Sequence, residues 1–495
     1  MLFTDYFDLK SHQYELDFVD IYLDSDLALF IDPYSISKYD ILLYKEAHNS
    51  LCDYFEVLKR FIIQKDKRNA LQVLSKLREP NEIHLGLSET SHGRGIGNIQ
   101  SELLWKMFSE SEALSKGYID SLAKSELFIE GIGPDKISDI TANIIRSQLI
   151  LYTQKQCNNY GIEMRTVSSG PYWDQEAHEW VEEYVELPIY NKQRIILVPK
   201  RIARKSTSYD PDVFYHQYIL DFLQAMYSAQ ESLGKALKVG KKIITKRELE
   251  IQNPYSKQLI YNFVKQHPNV LQHFEEDINR SVVKPERITF RIYKRQEQER
   301  FMEIPDYSNQ LKNIVTGNDT AGQYHRIIFN ILNYLFSSVL LNPEKEEKIN
   351  EGRKRIDISY YNADMDMFFY KLREVHKIFC PYIFFECKNY SQNIENPEFD
   401  QIAGRLSRKQ TMFGILVCRN ISNWQKTNRT QQDFYFNDDK LILILSDKEI
   451  ISLIEFRKRN EIDSINKLFE TQVRNIVLKK DITDFIIANE DTEEE

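Results

Sequence analysis

Apolar residues recur along this chain at two spacings, and the change from one to the other marks its parts. Near Ile41–Gln64, Asn69–Leu77, Ile99–Lys116, Pro134–Asn158 and Asp212–Ser232 they fall at helical spacing. Phe18–Leu23 and Leu27–Ile31 read as a hairpin, with Asp24-Ser25-Asp26 as turn residues. Glu82–Leu87 reads as a further strand, and Ile195-Ile196-Leu197-Val198 as an apolar strand bracketed by basic residues. Residues 1–270 are therefore expected to form a helix-rich α/β domain. His273–Asn313 is charged and holds one strand-like stretch, Ile288–Tyr293, so 271–315 is expected to connect two domains.

Beyond that segment the pattern tightens. Ala321–Leu341 predicts a helix, with Ile327, Ile328, Ile331, Leu332, Leu335 and Phe336 on one side. Arg355–Ile358 and Pro381–Lys388 predict short strands, and Phe399–Lys409 a second helix. Phe413–Cys418 is apolar on both faces, as a strand covered by helices would be, and Leu441–Leu445 repeats that character. Asp447 opens another amphipathic helix. The expected domain spans 316–480, followed by an acidic tail over 481–495.

Three residues on the two short strands carry candidate chemistry. Side chains two apart on a strand share a face, so Glu386 and Lys388 point one way and Cys387 the other. Asp357 points away from Ile356 and Ile358. If the strands pair, Asp357 and Glu386 converge on one hard divalent cation, with the Cys387 carbonyl as a further oxygen. Lys388 then lies beside them to activate water or to stabilise a developing anion. A charge directly after Phe384-Phe385 is costly to bury unless it is paired or bound to metal. This set is what a metal-dependent phosphodiesterase needs.

At these residues the chain resembles the PD-(D/E)xK nuclease superfamily, the restriction-endonuclease-like fold, and within it the Mrr-like enzymes. The resemblance covers roughly residues 316–455. It implies a mixed β-sheet flanked by helices, Mg²⁺ (or Mn²⁺) on Asp357, Glu386 and the Cys387 carbonyl, and Asp357, Glu386, Lys388 and Gln401 as the catalytic set. DNA is the implied partner. Arg353, Lys354, Arg405 and Arg408 are the expected phosphate contacts, with Gln401, Arg405 and Arg408 on one face of the second helix. A restriction or antiphage defence endonuclease is the implied function. The alternatives are a structure-specific repair or recombination nuclease, and a non-cutting DNA-binding or scaffold subunit. Many relatives carry a Glu on the first helix. Gly322-Gln323-Tyr324-His325 has none, leaving His325 or Gln323 to substitute.

Composition narrows the setting. The 495 residues are 42% hydrophobic and 28% charged, as in a globular protein, and no apolar run is long enough to span a membrane. Five cysteines without metal-type pairing and an N-terminus without a secretion leader predict reduced thiols in the cytoplasm. A net charge of −9 argues against nonspecific coating of nucleic acid, so DNA contact would need local patches. Lys192, Arg194, Lys200, Arg201, Arg204 and Lys205 form one candidate; Lys235, Lys238, Lys241, Lys242, Lys246 and Arg247 form another. Ser91–Gly97 could make an anion nest, or a plain connecting loop. Gly131-Ile132-Gly133-Pro134 is similar to a helix-hairpin-helix fragment, although a helix start with Pro at its first position explains it as well. The N-terminal domain is expected to serve recognition, regulation, or assembly with a second copy or a partner defence subunit.

Overall fold

Every residue of Phe413–Cys418 and Leu441–Ser446 is buried. Segments so apolar are stable only inside a covered sheet, where each Val, Leu or Ile side chain contributes about 1.5–3 kcal/mol against leaving it exposed. The computed structural model describes residues 1–9, 11, 13, 15–39, 41–86, 97–234, 245–282, 305–337, 339–349, 354–364, 367–459 and 461–480. The chain is a mixed α/β protein that separates into two units. One is Met1–Leu9 with Phe18–Lys294, and the other is Lys10–Asp17 with Arg295–Glu495.

The second unit is built on a five-stranded mixed sheet. Its strands are β1 (Leu340–Ile349), β2 (Lys354–Asn362), β3 (Tyr382–Lys388), β4 (Phe413–Cys418) and β5 (Leu441–Ser446), in the order β5-β4-β3-β2-β1. Pairings β1–β2 and β2–β3 are antiparallel, while β3–β4 and β4–β5 are parallel. After a short helix over Tyr307–Asn313 come α1 (Ala321–Phe336), α2 (Phe368–Glu374), α3 (Asn396–Ala403), α4 (Trp424–Asp438), α5 (Asp447–Lys458) and α6 (Ile462–Val477). On α1, Asn333 accepts the Tyr360 hydroxyl of β2 at 2.7 Å, and five of its last six residues, all but Asn333, are apolar and buried. The parallel pair β3–β4 requires a crossover, and α3 supplies it.

Glycine fixes how closely α3 sits. Gly414 pairs with Phe384 and therefore shares its face, the face of Glu386 and Lys388. A Cβ at Gly414 would lie 2.7 Å from Ile402 Cδ1 and 3.4 Å from Leu406 Cδ2. The missing side chain is the space into which Ile402 packs.

Several expected elements change length. The first helix ends at Phe336, not Leu341, because Leu340 already begins β1. β1 itself was not expected from the sequence: it carries Pro343 and five Glu or Lys residues, a composition that fits an edge strand. The second helix ends at Ala403, not Lys409, where Gly404 caps it and Leu406 turns into the core. β5 gains Ser446, which caps α5 through a capping box with Glu449.

The first unit is mainly helical. Its longest helices are Leu42–Ile63, Gly97–Ser109, Pro134–Ile144, Arg146–Tyr160, Leu220–Gly234 and Pro268–Val282. The expected helix 134–158 is thus broken at Ile145, and 212–232 contains a π-helical stretch over Tyr215–Ile219. The expected hairpin does not form. Phe18 bridges Pro199, Tyr22 bridges Leu2, Leu27 bridges Leu85, and Phe30–Ile31 pairs with Ala203–Arg204. Residues 82–86 form no strand either, since Asn81–Ile83 is a 3-10 turn, and Leu87 lies outside the described residues. Ile195–Val198 is buried but joins no ladder; its amides bond Pro188, Glu82 and the Thr153 hydroxyl. Ile288–Tyr293, Ser91–Ile96 and the tail 481–495 lie outside the described residues.

Gly414→Ala should destabilise the second unit by about 1–3 kcal/mol, as overpacking of a filled core does. Urea unfolding of the full chain, following that unit's transition, reads the change. Wild-type stability would show that Ile402 yields freely and that α3 is not held at this distance.

Candidate active site

Asp357 lies on β2 and Glu386 on β3, one residue beyond the paired Ile358 and Phe385. The two carboxylates therefore share a face at the same end of the antiparallel pair. Asp357 Oδ2 accepts the Cys387 amide at 2.9 Å. Asp357 is 8% exposed and Glu386 1%, so the cost of burying charge is concentrated here.

Protein donors meet that cost at Glu386. Lys388 Nζ donates to Glu386 Oε1 at 2.9 Å, and Gln401 Nε2 donates to the same oxygen at 2.5 Å. Lys388 also donates to Gln401 Oε1 at 2.6 Å, closing a triangle. Arg405 Nη1 donates to Glu386 Oε2. Burial, and then the facing charge of Asp357, push the Glu386 carboxyl above the usual carboxylate range, while Lys388 and Arg405 pull it back. Asp357, Glu386, Lys388 and Gln401 are thus brought together. Gln401 reaches the strand because Ile402, its neighbour on α3, packs at Gly414.

The Cys387 thiol faces the core and is pushed well above the usual thiol range by burial. Its carbonyl is the group that faces the site. His325 Nε2 lies 3.3 Å from that carbonyl oxygen and 3.8 Å from Asp357 Oδ2. Gln323, the other candidate on α1, is exposed. Among the described residues no three His, Cys, Asp or Glu side chains gather to hold a metal. Two carboxylates and one backbone carbonyl are nevertheless a hard oxygen set of the kind that suits Mg²⁺, which keeps several waters and takes one or two carboxylates from a protein.

The expected phosphate contacts are divided. Arg353 lies outside the described residues, and Lys354 is placed only as the first residue of β2. The shared helical face of Gln401, Arg405 and Arg408 does not exist, because the helix has ended at Ala403. Arg405 turns inward to Glu386. Arg408 is 80% exposed and pairs with Asp439 at 2.7 Å, away from the carboxylates. In the first unit the basic stretch around Lys200 is not an open patch, since Arg201 and Arg204 are buried. Lys235, Lys238, Lys241 and Lys242 lie outside the described residues.

A second network was missed by reading the sequence. Arg419, just after β4, pairs with Asp447 at 2.8 Å, donates to Asn389 Oδ1 at 3.1 Å, and stacks over the Tyr324 ring at 5.1 Å. The Tyr324 hydroxyl donates to Asp447 Oδ1 at 3.0 Å. Asn389 Nδ2 donates to the Gly317 carbonyl at 3.0 Å and Thr320 Oγ1 at 2.9 Å. Asn389 directly follows Lys388, so this network ties the end of β3 to the start of α1, which carries His325. Burial raises Asp447 to about 6 against the pull of Arg419. The one legible signal was an Asp at a helix start after an apolar strand.

Comparison with known proteins bears on the other unit. Residues 8–210 match the family described as Domain of unknown function (DUF8370). That match ends before β1 and includes none of the site residues. No curated protein and no solved structure matches the chain.

Asp357→Asn should lower the pKa of Glu386, because it removes the like charge that raises it. A carboxyl raised in the folded state stabilises it at low pH, and that stability is lost as pH rises through the raised value. In Asp357→Asn the loss should come at lower pH and be smaller. Titration of ¹³C-labelled glutamate, with Glu386→Gln assigning the signal, reads the midpoint. An unmoved midpoint would mean the two carboxylates do not interact.

Proposed function

We propose that the second unit is a metal-dependent phosphodiesterase that cuts DNA, on a restriction-endonuclease-like core. One observation carries the reading: Asp357 and Glu386 share one strand-pair end, with Lys388 and Gln401 on the same Glu386 oxygen. The β1–β4 order, the β3–α3–β4 crossover and the position of His325 where a first-helix acid is missing all support it. Asp357, Glu386 and the Cys387 carbonyl would hold Mg²⁺ or Mn²⁺, which supplies a bound water of lowered pKa and charge neutralisation at the phosphoryl oxygens. The chain's own groups do the rest. Gln401 holds the Lys388 ammonium at the site edge, where it faces phosphoryl charge. His325 stands by Asp357 and the Cys387 carbonyl and orders that side. The setting we favour is restriction or antiphage defence in the cytoplasm, with the first unit recognising substrate or a partner; a repair nuclease is the nearest alternative.

One observation favours a second reading. Glu386 is already compensated by Lys388 and Arg405, so a DNA-binding or scaffold subunit that does not cut would be equally satisfied. Calorimetry separates the two, because that subunit would bind no Mn²⁺ at Glu386.

The purified full chain should nick or linearise plasmid with Mg²⁺ or Mn²⁺ and stop in excess chelator. Asp357→Ala, Glu386→Ala and Lys388→Ala should each slow cleavage by about a hundredfold or more while unfolding stays cooperative. Undiminished cleavage in chelator, or three folded variants that cut like wild type, would sink the assignment.

DNA affinity measured against salt tests the phosphate contacts. In an Asp357→Ala background, replacing Arg353, Lys354 and Arg408 by Ala should lower the salt slope by about 0.9 for each lost contact on duplex DNA, while Arg405, committed to Glu386, is left in place. Base preference should not change. An unaltered slope would remove all three from the DNA-binding surface.

A further inference from the structure

Three arginines of the first unit converge on one glycine. Arg146, the first residue of the helix Arg146–Tyr160, is 1% exposed, and Arg194 sits on a short strand with its side chain 22% exposed. Arg78 is exposed at the surface. A Cβ on Gly170 would lie 2.7 Å from Arg194 Nη2, 2.7 Å from Arg78 Nη2 and 3.4 Å from Arg146 Nη1. Gly170 has φ +68°, a conformation that favours glycine, so the backbone leaves the guanidinium groups room to meet.

Few acceptors answer them. Glu82 Oε1 accepts from Arg146 Nη1 and, at 3.4 Å, from Arg194 Nη2. Glu182 acts on all three at longer range. Among the described residues, two carboxylates against three guanidinium groups leave one positive charge without a counterpart. The buried Nε atoms of Arg146 and Arg194 have no hydrogen-bond partner, and the Arg78 guanidinium donates none among the described residues. Burial, then Arg194 and Arg78, hold Arg146 below the usual guanidinium range, so the like charges are felt. The cluster is nonetheless braced. Asn143 donates to the Arg78 carbonyl at 2.6 Å and accepts from Arg146 Nη2 at 3.3 Å, and Arg194 Nη1 donates to the Ser168 carbonyl at 3.0 Å.

We infer that Arg78, Arg146 and Arg194 form an oxyanion site against Gly170 that takes the terminal phosphoryl group of a small phosphorylated ligand. Planar forked donors match phosphate oxygens, and an anion there relieves the repulsion among them. The number of guanidinium groups favours the terminal group: a chain-end phosphoryl group can present three non-bridging oxygens to three forks, whereas a phosphodiester inside a nucleic-acid strand presents two and carries a sugar on both sides. The site lies within residues 8–210 and does not depend on the carboxylates of the second unit.

The test is calorimetric titration of the full chain with pyrophosphate and with inorganic phosphate, at ionic strength matched by chloride. Wild type should bind pyrophosphate saturably, and its unfolding temperature should rise with ligand. Arg78→Gln, which alters an exposed side chain, should bind at least about tenfold more weakly with unfolding otherwise unchanged. Lys265→Gln, an exposed charge change elsewhere in the unit, should bind like wild type. Absence of saturable binding to either anion would overturn the inference, as would an Arg78→Gln variant that binds like wild type. Displacement of pyrophosphate by a duplex lacking terminal phosphates would overturn the choice of a terminal group.

Discussion

The buried carboxylate of Glu386 is the constraint around which the second unit is arranged. A negative charge at 1% exposure is tolerated only with donors at hand, and the chain brings three from three places. Lys388 comes from the same strand, Gln401 from the crossover helix, and Arg405 from the turn after it. Each needs the backbone in a definite position. The strand alternation sets Lys388, the contact of Ile402 with Gly414 sets Gln401, and the end of the helix at Ala403 swings Arg405 inward. Asp357 then adds a like charge that the donors only partly offset.

Much of this unit could be read from the amino acids because its signals are local and doubled. Phe413–Cys418 and Leu441–Ser446 are apolar on both faces, which few structures other than a covered strand can use. Asp357 and Glu386 stand out because they interrupt apolar runs. β1 did not stand out, since Pro343 and its Glu and Lys residues resemble a loop until a neighbouring strand supplies the partner. Arg405 was expected to contact phosphate and instead pairs with Glu386, a partner that the sequence could not supply because it lies on another element.

The first unit was far less legible, and the reason is distance along the chain. Phe18 answers Pro199, Leu27 answers Leu85, and Phe30–Ile31 answers Ala203–Arg204. Hydrophobic alternation tells that a segment is buried, not which remote segment it meets, so two neighbouring runs were joined into a hairpin that does not form. Arg201 and Arg204 misled in the same way. Charge in a sequence suggests surface, yet Arg204 Nε donates to the Ser35 hydroxyl at 3.1 Å inside the fold.

The irregular edge strand has a consequence for crowding. β1 contains Pro343, which offers no amide, and two residues with left-handed backbone, Asn342 and Glu346. Its pairing with β2 slips between Ser359 and Tyr361. A regular edge would present an even row of amides and carbonyls, a template for any extended peptide. Here that row is broken, and Glu346 faces outward in an ion pair with Arg355. When many copies are packed together, or a partly folded chain passes by, this side of the sheet resists growing by another strand.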